Sequence, residues 1–318
     1  MDGSNDTVLV TGAAGFIGTW VCRKLMDHGR LVIGIDNFCD FYDPAVKHRN
    51  AADLAAAGRF TLVSADIRDR DMMASVVARY RPGVVIHLAA MAGVRPSFQN
   101  PDLYRDVNVN GTSSVLDAAV AGGVSRVLFA SSSSVYGNAP TAPFLEDFPT
   151  DSPLSPYAAT KIEGERLCAR VRENHGVSVT SLRLFTVFGP GQRPDLAIHR
   201  FLRSVGQGTP IKVFGDWASS RDYTYAGDIA AGICAAVDRA LDCDVINLGG
   251  SHPVRLDELI GVIEEVTGRS AVIERLPHQR GDVERTWADI GRAGRLLGFA
   301  PSVALPEGVR RQWEWMRN

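Results

Sequence analysis

A tyrosine and a lysine one helical turn apart are the residues of this sequence best suited to proton transfer. Residues 155–161 predict the start of a helix, with Ser155 as its N-cap and Pro156 at its first position. Tyr157 and Lys161 then lie at positions i and i+4, on one face of that helix. A free tyrosine has a pKa of about 10, which is too high for a base at neutral pH. A neighbouring ammonium stabilises the phenolate and lowers that pKa, so Tyr157 is a candidate acid and base.

Four consecutive serines precede this helix in the sequence. They are Ser131, Ser132, Ser133 and Ser134, at the end of a predicted strand. The Tyr-x-x-x-Lys spacing alone is more often a surface pair than a catalytic one. The serines add hydroxyl groups that can hold a reacting oxygen, and this combination favours a catalytic site.

A glycine-rich turn lies near the N-terminus, between a predicted strand and a predicted helix. Gly12, Gly15 and Gly18 allow a tight turn and let backbone N–H groups approach a pyrophosphate at the helix N-terminus. Asp36 closes the second predicted strand, where an acid accepts hydrogen bonds from the adenosine ribose. Because a carboxylate there repels a 2′-phosphate, the sequence predicts NAD in preference to NADP. The alternative, a structural turn with a capping aspartate, is the weaker interpretation.

Short apolar runs alternate with amphipathic segments and position these residues. The predicted strands are rich in Val, Ile and Leu, as in parallel strands buried on both faces, and span 7–10, 31–36, 60–64, 84–88, 126–131 and 179–184. Long helices are predicted at 103–121 and 156–174. Repeated βα units predict an α/β fold, a Rossmann-type doubly wound parallel sheet.

The pattern changes after residue 184, where Gly and Pro interrupt short strands and helices. A helix at 227–240 and a strand at 245–248 are placed to rejoin the sheet. We therefore predict a cofactor domain formed by 1–184 with 225–250. A smaller, interleaved substrate lobe is predicted from 185–224 and 251–318.

Composition excludes several classes of protein. The 318 residues carry 34 Lys+Arg and 36 Asp+Glu, so the chain lacks the basic surface that nucleic-acid binding needs. No apolar run approaches the roughly 20 residues of a membrane span, and residues 1–6 resemble no secretory signal. The five cysteines are scattered without a C-x-x-C, which predicts reduced thiols, no metal site and a cytoplasmic protein.

The glycine turn, the serine strand end and the Tyr-x-x-x-Lys helix together resemble the extended short-chain dehydrogenases/reductases of the nucleotide-sugar epimerase/dehydratase type. The resemblance runs from Val8 essentially to the C-terminus. It implies a tightly held NAD, with Tyr157 as acid/base, Lys161 on the nicotinamide ribose and Ser132 on the substrate hydroxyl. It also implies a homodimer formed through the two long helices. The implied cofactor residues are Gly12, Gly15, Phe16, Ile17, Gly18, Asp36, Asn37, Asp66, Ile67, Leu88, Ala89, Ala90, Asn108, Ser131, Tyr157 and Lys161.

Two neutral serines bear on which reaction of this family is expected. Enzymes of the family begin by oxidising the sugar at C4. Dehydratases carry an Asp-Glu pair before the Val-Tyr-Gly at this strand end, and UDP-xylose-forming decarboxylases carry a Glu. This chain has Ser133 and Ser134 instead. Without the extra acid, the 4-keto sugar can turn over and take the hydride back on its other face, so the resemblance implies C4 epimerisation.

The sugar-nucleotide site is also implied by resemblance. Phe214 is expected near the uracil and Arg221 on the diphosphate, with Tyr223 in the same motif, and Arg280 and Asp282 are expected to close the pocket. The loop 189–195 resembles that of UDP-glucuronate 4-epimerases. Ser133, Ser134, Thr186 and Arg193 are candidates to bind a C6 carboxylate, and Arg95 is another possible anion contact. Arg193 as a solvent-facing loop residue remains the alternative.

These observations predict NAD-dependent 4-epimerisation of UDP-glucuronate. The nearest alternative is UDP-glucose 4-epimerisation, and the next is UDP-glucuronate decarboxylation. A non-catalytic Rossmann-type protein that binds NAD or a sugar nucleotide is the alternative from another class. The intact Tyr157, Lys161 and serine strand end argue against it.

Overall fold

Seven parallel strands form the central sheet of the computed structural model, which describes residues 6–317 except 216, 218, 240, 242, 243 and 278–280. The strands of this sheet are β1 (Thr7–Thr11), β2 (Leu31–Asp36), β3 (Phe60–Ser64), β4 (Val84–His87), β5 (Arg126–Ser132), β6 (Ser178–Leu184) and β10 (Val245–Leu248). Their order is β10-β6-β5-β4-β1-β2-β3, and every neighbouring pair is parallel. The predicted doubly wound α/β fold is confirmed.

The strands are apolar because both faces of the sheet are covered. Val8 and Val10 of β1 face one core cluster, whereas Leu9 faces a second cluster on the opposite side. All three side chains are at most 1% exposed. Alternate residues of one strand therefore enter two separate cores, which explains the continuous hydrophobic runs.

Twelve α-helices surround this sheet and the smaller strands. They are α1 (Phe16–Asp27), α2 (Pro44–Ala56), α3 (Arg70–Tyr80), α4 (Val94–Ser97), α5 (Pro101–Arg105), α6 (Gly111–Ala121), α7 (Pro156–His175), α8 (Ala197–Gln207), α9 (Ala226–Val237), α10 (Leu256–Thr267), α11 (Gly291–Leu297) and α12 (Leu305–Arg317) in the described part of the chain. Within that part, no helix combines the length and the apolar character needed to cross a lipid bilayer.

The helix predicted at 103–121 is interrupted by a π-helical turn, Asp106–Asn110, between α5 and α6. Asn108 lies in this turn, where its Oδ1 accepts from the Met91 backbone N–H at 2.8 Å. Its Nδ2 donates to the Met91 carbonyl at 2.9 Å and to the Thr160 hydroxyl at 3.0 Å. The wider turn thus directs a polar side chain inward, between the strand ends and α7, as π turns at functional sites often do.

Shorter strands build the rest of the described chain. They are β7 (Thr186–Phe188), β8 (Ile211–Phe214), β9 (Ser220–Tyr225), β11 (Pro253–Arg255) and β12 (Ile273–Leu276). Three of them form a sheet in the order β11-β9-β7, and β12 pairs with β8. A third core cluster, which includes Phe188, Leu202, Leu259 and Val309, packs these elements together.

Strand order determines where a ligand can enter. The chain leaves β1 toward β2 on one side, while β4 borders β1 on the other. The connections therefore diverge at the carboxyl ends of β1 and β4 and open a crevice between them. The glycine turn after β1 and the serines at the end of β5 both face this crevice.

Candidate active site

A cavity of about 810 Å³ opens at the carboxyl ends of the strands. Most residues predicted for the cofactor line its wall. They are Gly12, Gly15, Phe16, Ile17, Gly18, Asp36, Asn37, Ile67, Leu88, Ala89, Ala90, Ser131, Tyr157 and Lys161. The residues predicted for substrate that line the same cavity are Ser132, Ser133, Ser134, Tyr157, Thr186, Arg193, Arg221 and Asp282. One cavity thus brings together most of both predicted sets.

The glycine turn leaves no room for side chains. Gly12 has a φ of +69°, and a Cβ built on it would lie 2.9 Å from the Ala89 backbone nitrogen. A Cβ on Gly18 would lie 2.1 Å from the Gly12 carbonyl oxygen. No side chain caps α1, whose N-cap is Gly15. The first amide groups of this helix are therefore accessible to a phosphate, and the turn fits the pyrophosphate of a dinucleotide.

Asp36 lies at the end of β2 and is only 6% exposed. Its Oδ2 accepts from the Ala14 N–H at 3.1 Å and its Oδ1 from the Phe38 N–H at 2.9 Å. Each carboxylate oxygen has two acceptor positions, so both can still receive a ribose hydroxyl. The ammonium of Lys47 lies 3.7 Å from Oδ1 and offsets part of the negative charge.

Asp66 does not line the cavity but holds residues that do. It accepts hydrogen bonds from Asn37 at 2.9 Å and from the guanidinium of Arg68, which lines the wall beside Ile67. The Arg68 guanidinium holds the pKa of Asp66 well below its usual range. Asn108 likewise lies behind the wall, bonded to Met91. Both residues position the cavity wall from outside it.

The helix start predicted at 155–161 is confirmed. The Ser155 Oγ accepts from the Ala158 N–H at 3.1 Å, and Pro156 is the first residue of α7. Tyr157 and Lys161 both face the cavity. Lys161 is 4% exposed, and its Nζ donates to the Ala130 carbonyl at 2.8 Å. The same Nζ lies 6.0 Å from the centre of the Tyr157 ring, so the lysine charge and the phenol share one end of the cavity.

Burial is the strongest influence on both groups. It raises the pKa of Tyr157, while the nearby Ser132 side chain and the charge of Arg193 oppose the rise. It lowers the pKa of Lys161 to about 8. Within the protein alone, without the positive nicotinamide ring of a bound cofactor, the phenol is therefore protonated at neutral pH.

A buried histidine connects the two strands that flank the crevice. The Thr112 hydroxyl donates its proton to the Asn108 carbonyl at 2.6 Å, so it accepts from His87 Nε2–H at 3.0 Å. The other ring nitrogen, Nδ1, then accepts from the Thr11 hydroxyl at 2.7 Å. Both nitrogens are satisfied in the neutral ring, and a second proton would leave Nδ1–H facing a hydroxyl that also accepts from Ala89.

This neutral ring is expected to make the fold less stable in mild acid. Burial lowers the pKa of His87 to about 3, whereas an unfolded histidine has a pKa of about 6.5. Between these values the unfolded chain binds a proton that the folded chain does not, so the free energy of unfolding falls as pH falls. One such group contributes a slope of about 1.4 kcal/mol per pH unit. Urea denaturation between roughly pH 4.5 and 7.5 measures this slope.

In His87→Gln the free energy of unfolding should depend less steeply on pH than in wild type, although the variant is less stable at neutral pH. His28→Gln, at an exposed position, is the matched control and should leave the slope unchanged. A His87 variant with the wild-type slope would assign the acid sensitivity to other groups.

Arg193 projects into the cavity from the loop before α8. Its Nε and Nη2 donate to the two carboxylate oxygens of Asp195 at 3.0 and 2.9 Å. Its guanidinium carbon lies 5.1 Å from the centre of the Phe41 ring. The Arg193 side chain is 15% exposed, so the solvent-facing alternative is wrong. Thr186, Ser133 and the guanidinium all face the same space.

The predicted nucleotide residues divide into two groups. Arg221 and Asp282 line the cavity, and Arg221 Nη1 donates to the Ser220 carbonyl at 2.9 Å. Arg95 lies outside the wall, where its Nη2 pairs with the Asp282 carboxylate at 2.9 Å. Its guanidinium carbon lies 4.5 Å from the centre of the Phe214 ring. Phe214 is likewise outside the wall, as is Tyr223, which packs edge-on against Phe188. Arg280 lies outside the described residues.

Several residues of the wall had no signal in the sequence. Lys47 is a buried cation on α2, and its Nζ lies 3.1 Å from the Cys39 thiol. Phe41 and Tyr42 come from the loop between β2 and α2, and Arg68 from the loop after β3. Their positions depend on how loops fold back over the crevice, which periodicity does not encode. In the described ranges no cluster of three or more His, Cys, Asp or Glu side chains could hold a metal ion.

Comparisons with known proteins agree with this geometry. The UDP-glucuronate 4-epimerase of Thermodesulfobacterium geofontis is 40% identical over 312 residues, which cover 98% of this chain and 96% of that protein. A solved UDP-glucuronic acid 4-epimerase from Bacillus cereus, in complex with UDP-glucuronic acid and NAD, is 35% identical with a TM-score of 0.93, covering 98% of this chain and 99% of that chain. The UDP-glucose 4-epimerase of Thermotoga maritima, with UDP-glucose, is 29% identical with a TM-score of 0.88 and covers 98% of each chain. Residues 8–249 match the NAD dependent epimerase/dehydratase family, and the chain belongs to it.

Proposed function

We propose that this protein is an NAD-dependent 4-epimerase that interconverts UDP-glucuronate and UDP-galacturonate. The observation that carries the proposal is one cavity that combines Tyr157 and Lys161 with a guanidinium and three hydroxyl groups. These are Arg193, Ser133, Ser134 and Thr186, which together suit a carboxylate. The relatives named UDP-glucuronate 4-epimerase support this substrate.

The described wall fits NAD. The glycine turn and the uncapped N-terminus of α1 suit the pyrophosphate, and Asp36 suits the adenosine ribose. Lys161, with one proton engaged by Ala130, retains two N–H groups for the nicotinamide ribose. A bound NAD would supply the hydride acceptor and donor for the sugar C4, which leaves no net oxidation.

Tyr157 and Ser132 act on the C4 hydroxyl in this proposal. Ser132 holds the sugar oxygen beside Tyr157, since both side chains line the cavity wall and the Ser132 side chain favours the ionised phenol. Tyr157 accepts the C4 hydroxyl proton as the carbonyl forms, and donates it back when the carbonyl is reduced. Lys161 stabilises the phenolate through its charge, and burial strengthens that attraction.

The residues at positions 133 and 134 are serines and not acidic residues, which supports epimerisation over dehydration and decarboxylation. Ser133 and Ser134 line the cavity where those relatives of the family carry carboxylates. Ser132 Oγ lies 3.1 Å from Ser134 Oγ and accepts from the Ser134 N–H at 3.2 Å. The short 3₁₀ turn that follows β5 thus presents neutral hydroxyl groups to the sugar.

The opposite end of the cavity suits the nucleotide. Arg221 is placed to bind the diphosphate, with Asp282 and Thr286 on the same wall. Arg95 and Phe214 form a stacked pair behind Asp282, and we expect the uracil to approach this pair. Arg280 keeps its predicted role at the mouth of the pocket.

The proposal includes a homodimer and a cytoplasmic location. The family resemblance implies pairing through the predicted helices 103–121 and 156–174, which correspond in the structure to α5, the π turn and α6, and to α7. The cysteines that the structure describes, Cys22, Cys39, Cys168 and Cys234, are free thiols. Reduced thiols are typical of cytoplasmic proteins.

Purified protein incubated with UDP-glucuronate is expected to produce UDP-galacturonate without net formation of NADH. The reason is that oxidation and reduction at C4 cancel in each turnover. Product chromatography and absorbance at the NADH band measure both quantities, and denatured protein should release NAD(H). Parallel reactions with UDP-glucose provide the comparison. Stoichiometric NADH, or faster turnover of UDP-glucose than of UDP-glucuronate, would contradict the proposal.

A further inference from the structure

Arg193 has a built-in counterion. Asp195, two residues further along the same loop, takes both hydrogen bonds from the Nε/Nη2 edge of the guanidinium. No hydrogen bond to Nη1 occurs among the described residues, so the outer edge of the guanidinium remains open to the cavity. The Asp195 side chain is 41% exposed, while that of Arg193 is 15% exposed. The pair therefore joins a nearly buried cation to an accessible anion at the rim.

The orientation of Arg193 does not depend on Asp195 alone. The flat face of the guanidinium lies over the Phe41 ring, 5.1 Å from its centre. This contact limits the positions that the guanidinium can adopt. Removal of the Asp195 charge is therefore expected to change the electrostatics of the site more than its geometry.

A second carboxylate at the open edge of Arg193 would share one positive charge with Asp195. Like charges a few ångströms apart repel, so Asp195 weakens the attraction of the site for an anionic sugar. With a neutral sugar the effect is opposite. When the sugar carries no carboxylate, Asp195 remains the counterion of the nearly buried Arg193. This pairing favours binding of the neutral sugar, because an unpaired buried cation is costly.

We infer that Asp195 sets the preference of the site between uronate and neutral hexose by acting as the resident counterion of Arg193. The inference rests on the proposed function, since it concerns the same sugar site. It assigns Asp195 a role in specificity, exerted through Arg193 and not through contact with the reacting atoms. We therefore expect wild type to prefer UDP-glucuronate over UDP-glucose less strongly than a site with Arg193 and no carboxylate at position 195.

Asp195→Asn tests this role because it removes the charge and keeps the shape. The ratio of Kd for UDP-glucose to Kd for UDP-glucuronate should rise about three- to tenfold, mainly through tighter binding of the uronate. Isothermal titration calorimetry on the NAD-loaded enzyme measures both constants, with UDP as the sugar-free reference. Asp195→Glu restores the charge and should return the ratio toward wild type.

The chain offers a matched control in Asp257→Asn. Arg255 donates to Asp257 through Nε and Nη2 at 3.0 Å each, the same i, i+2 geometry, but on an exposed surface. This variant should leave the ratio unchanged. A ratio that falls in Asp195→Asn would show that the carboxylate orients Arg193, and an unchanged ratio would show that it has no influence. Either result overturns the inference. Absence of UDP-galacturonate formation by wild type would instead contradict the proposed function, while the binding ratios remain measurable.

Discussion

Tyr157→Phe is expected to slow epimerisation by roughly 10²–10⁴-fold, the usual contribution of general acid–base catalysis. The substitution removes one hydroxyl and leaves the ring. The ring packs edge-on against Tyr104, with centroids 6.3 Å apart, and phenylalanine can keep this contact. Binding of UDP-glucuronate and retention of NAD should therefore change little. Steady-state turnover, together with the Kd of the substrate, separates the two effects.

The size of the effect follows from the surroundings of the phenol. Burial raises its pKa, and the nearby Ser132 side chain and the charge of Arg193 oppose the rise. Ser132 alone is a poor replacement, because a serine hydroxyl is a much weaker acid than a phenol. Lys161 already donates to the Ala130 carbonyl, and its ammonium lies 6.0 Å from the ring centre.

Tyr80→Phe is the control for loss of a tyrosine hydroxyl far from the cavity. Tyr80 ends α3 and does not line the site. This variant should keep wild-type turnover. If Tyr157→Phe also kept it, another residue would carry the proton and the assignment of Tyr157 would be wrong.

The parts of the site that the sequence predicts are those set by short-range geometry. The glycine turn is fixed by the steric limits at Gly12 and Gly18, which involve backbone only a few residues or one strand away. Tyr157 and Lys161 share a face because an N-cap and a proline start α7 at a defined residue. The alternation of apolar strand segments with amphipathic helical segments is also a short-range feature of the sequence. For these features, residue type and spacing carry enough information.

Other parts depend on contacts between distant segments. Lys47 is buried against Asp36 because α2 folds back over the end of β2, and no local pattern marks it as buried. The π turn around Asn108 depends on Met91 and Thr160, which come from two other elements. Arg95 and Phe214, both predicted to contact the ligand, also pack against each other, and Arg95 pairs with Asp282. Pairings of this kind become visible only in three dimensions.

Arg193→Ala is expected to weaken binding of UDP-glucuronate roughly tenfold to a hundredfold, with a much smaller effect on UDP-glucose. A hydrogen bond to a charged group contributes about 1.5–3 kcal/mol, which corresponds to this range. Ser133, Ser134 and Thr186 can still contact the carboxylate, but they carry no charge. Asp195 would remain without its partner and repel the uronate, which increases the loss. Titration of both substrates into the NAD-loaded variant measures the difference.

The same variant is expected to release UDP-pentose from UDP-glucuronate. The 4-keto form is a β-keto acid, in which the C5–carboxylate bond breaks readily when it aligns with the carbonyl π system. Carbon dioxide then leaves and C5 takes a proton, which gives a 4-keto pentose. Return of the hydride taken earlier from C4 would reduce this ketone to the UDP-pentose. A guanidinium that fixes the carboxylate away from this alignment prevents the loss, and Arg193 is the cation best placed to do so. Product chromatography should detect pentose from the variant and none from wild type.

Two variants separate this explanation from a general disturbance of the loop. Arg203→Ala removes an exposed arginine from α8 and should leave both substrates and products unchanged. Arg193→Ala combined with Asp195→Asn removes the unpaired acid and should recover part of the uronate affinity while still releasing pentose. Equal losses on the two sugars in Arg193→Ala would show that Arg193 does not bind the carboxylate. The three hydroxyl groups would then be the remaining determinants of uronate selection, and UDP-glucose 4-epimerisation would become the better description of the site.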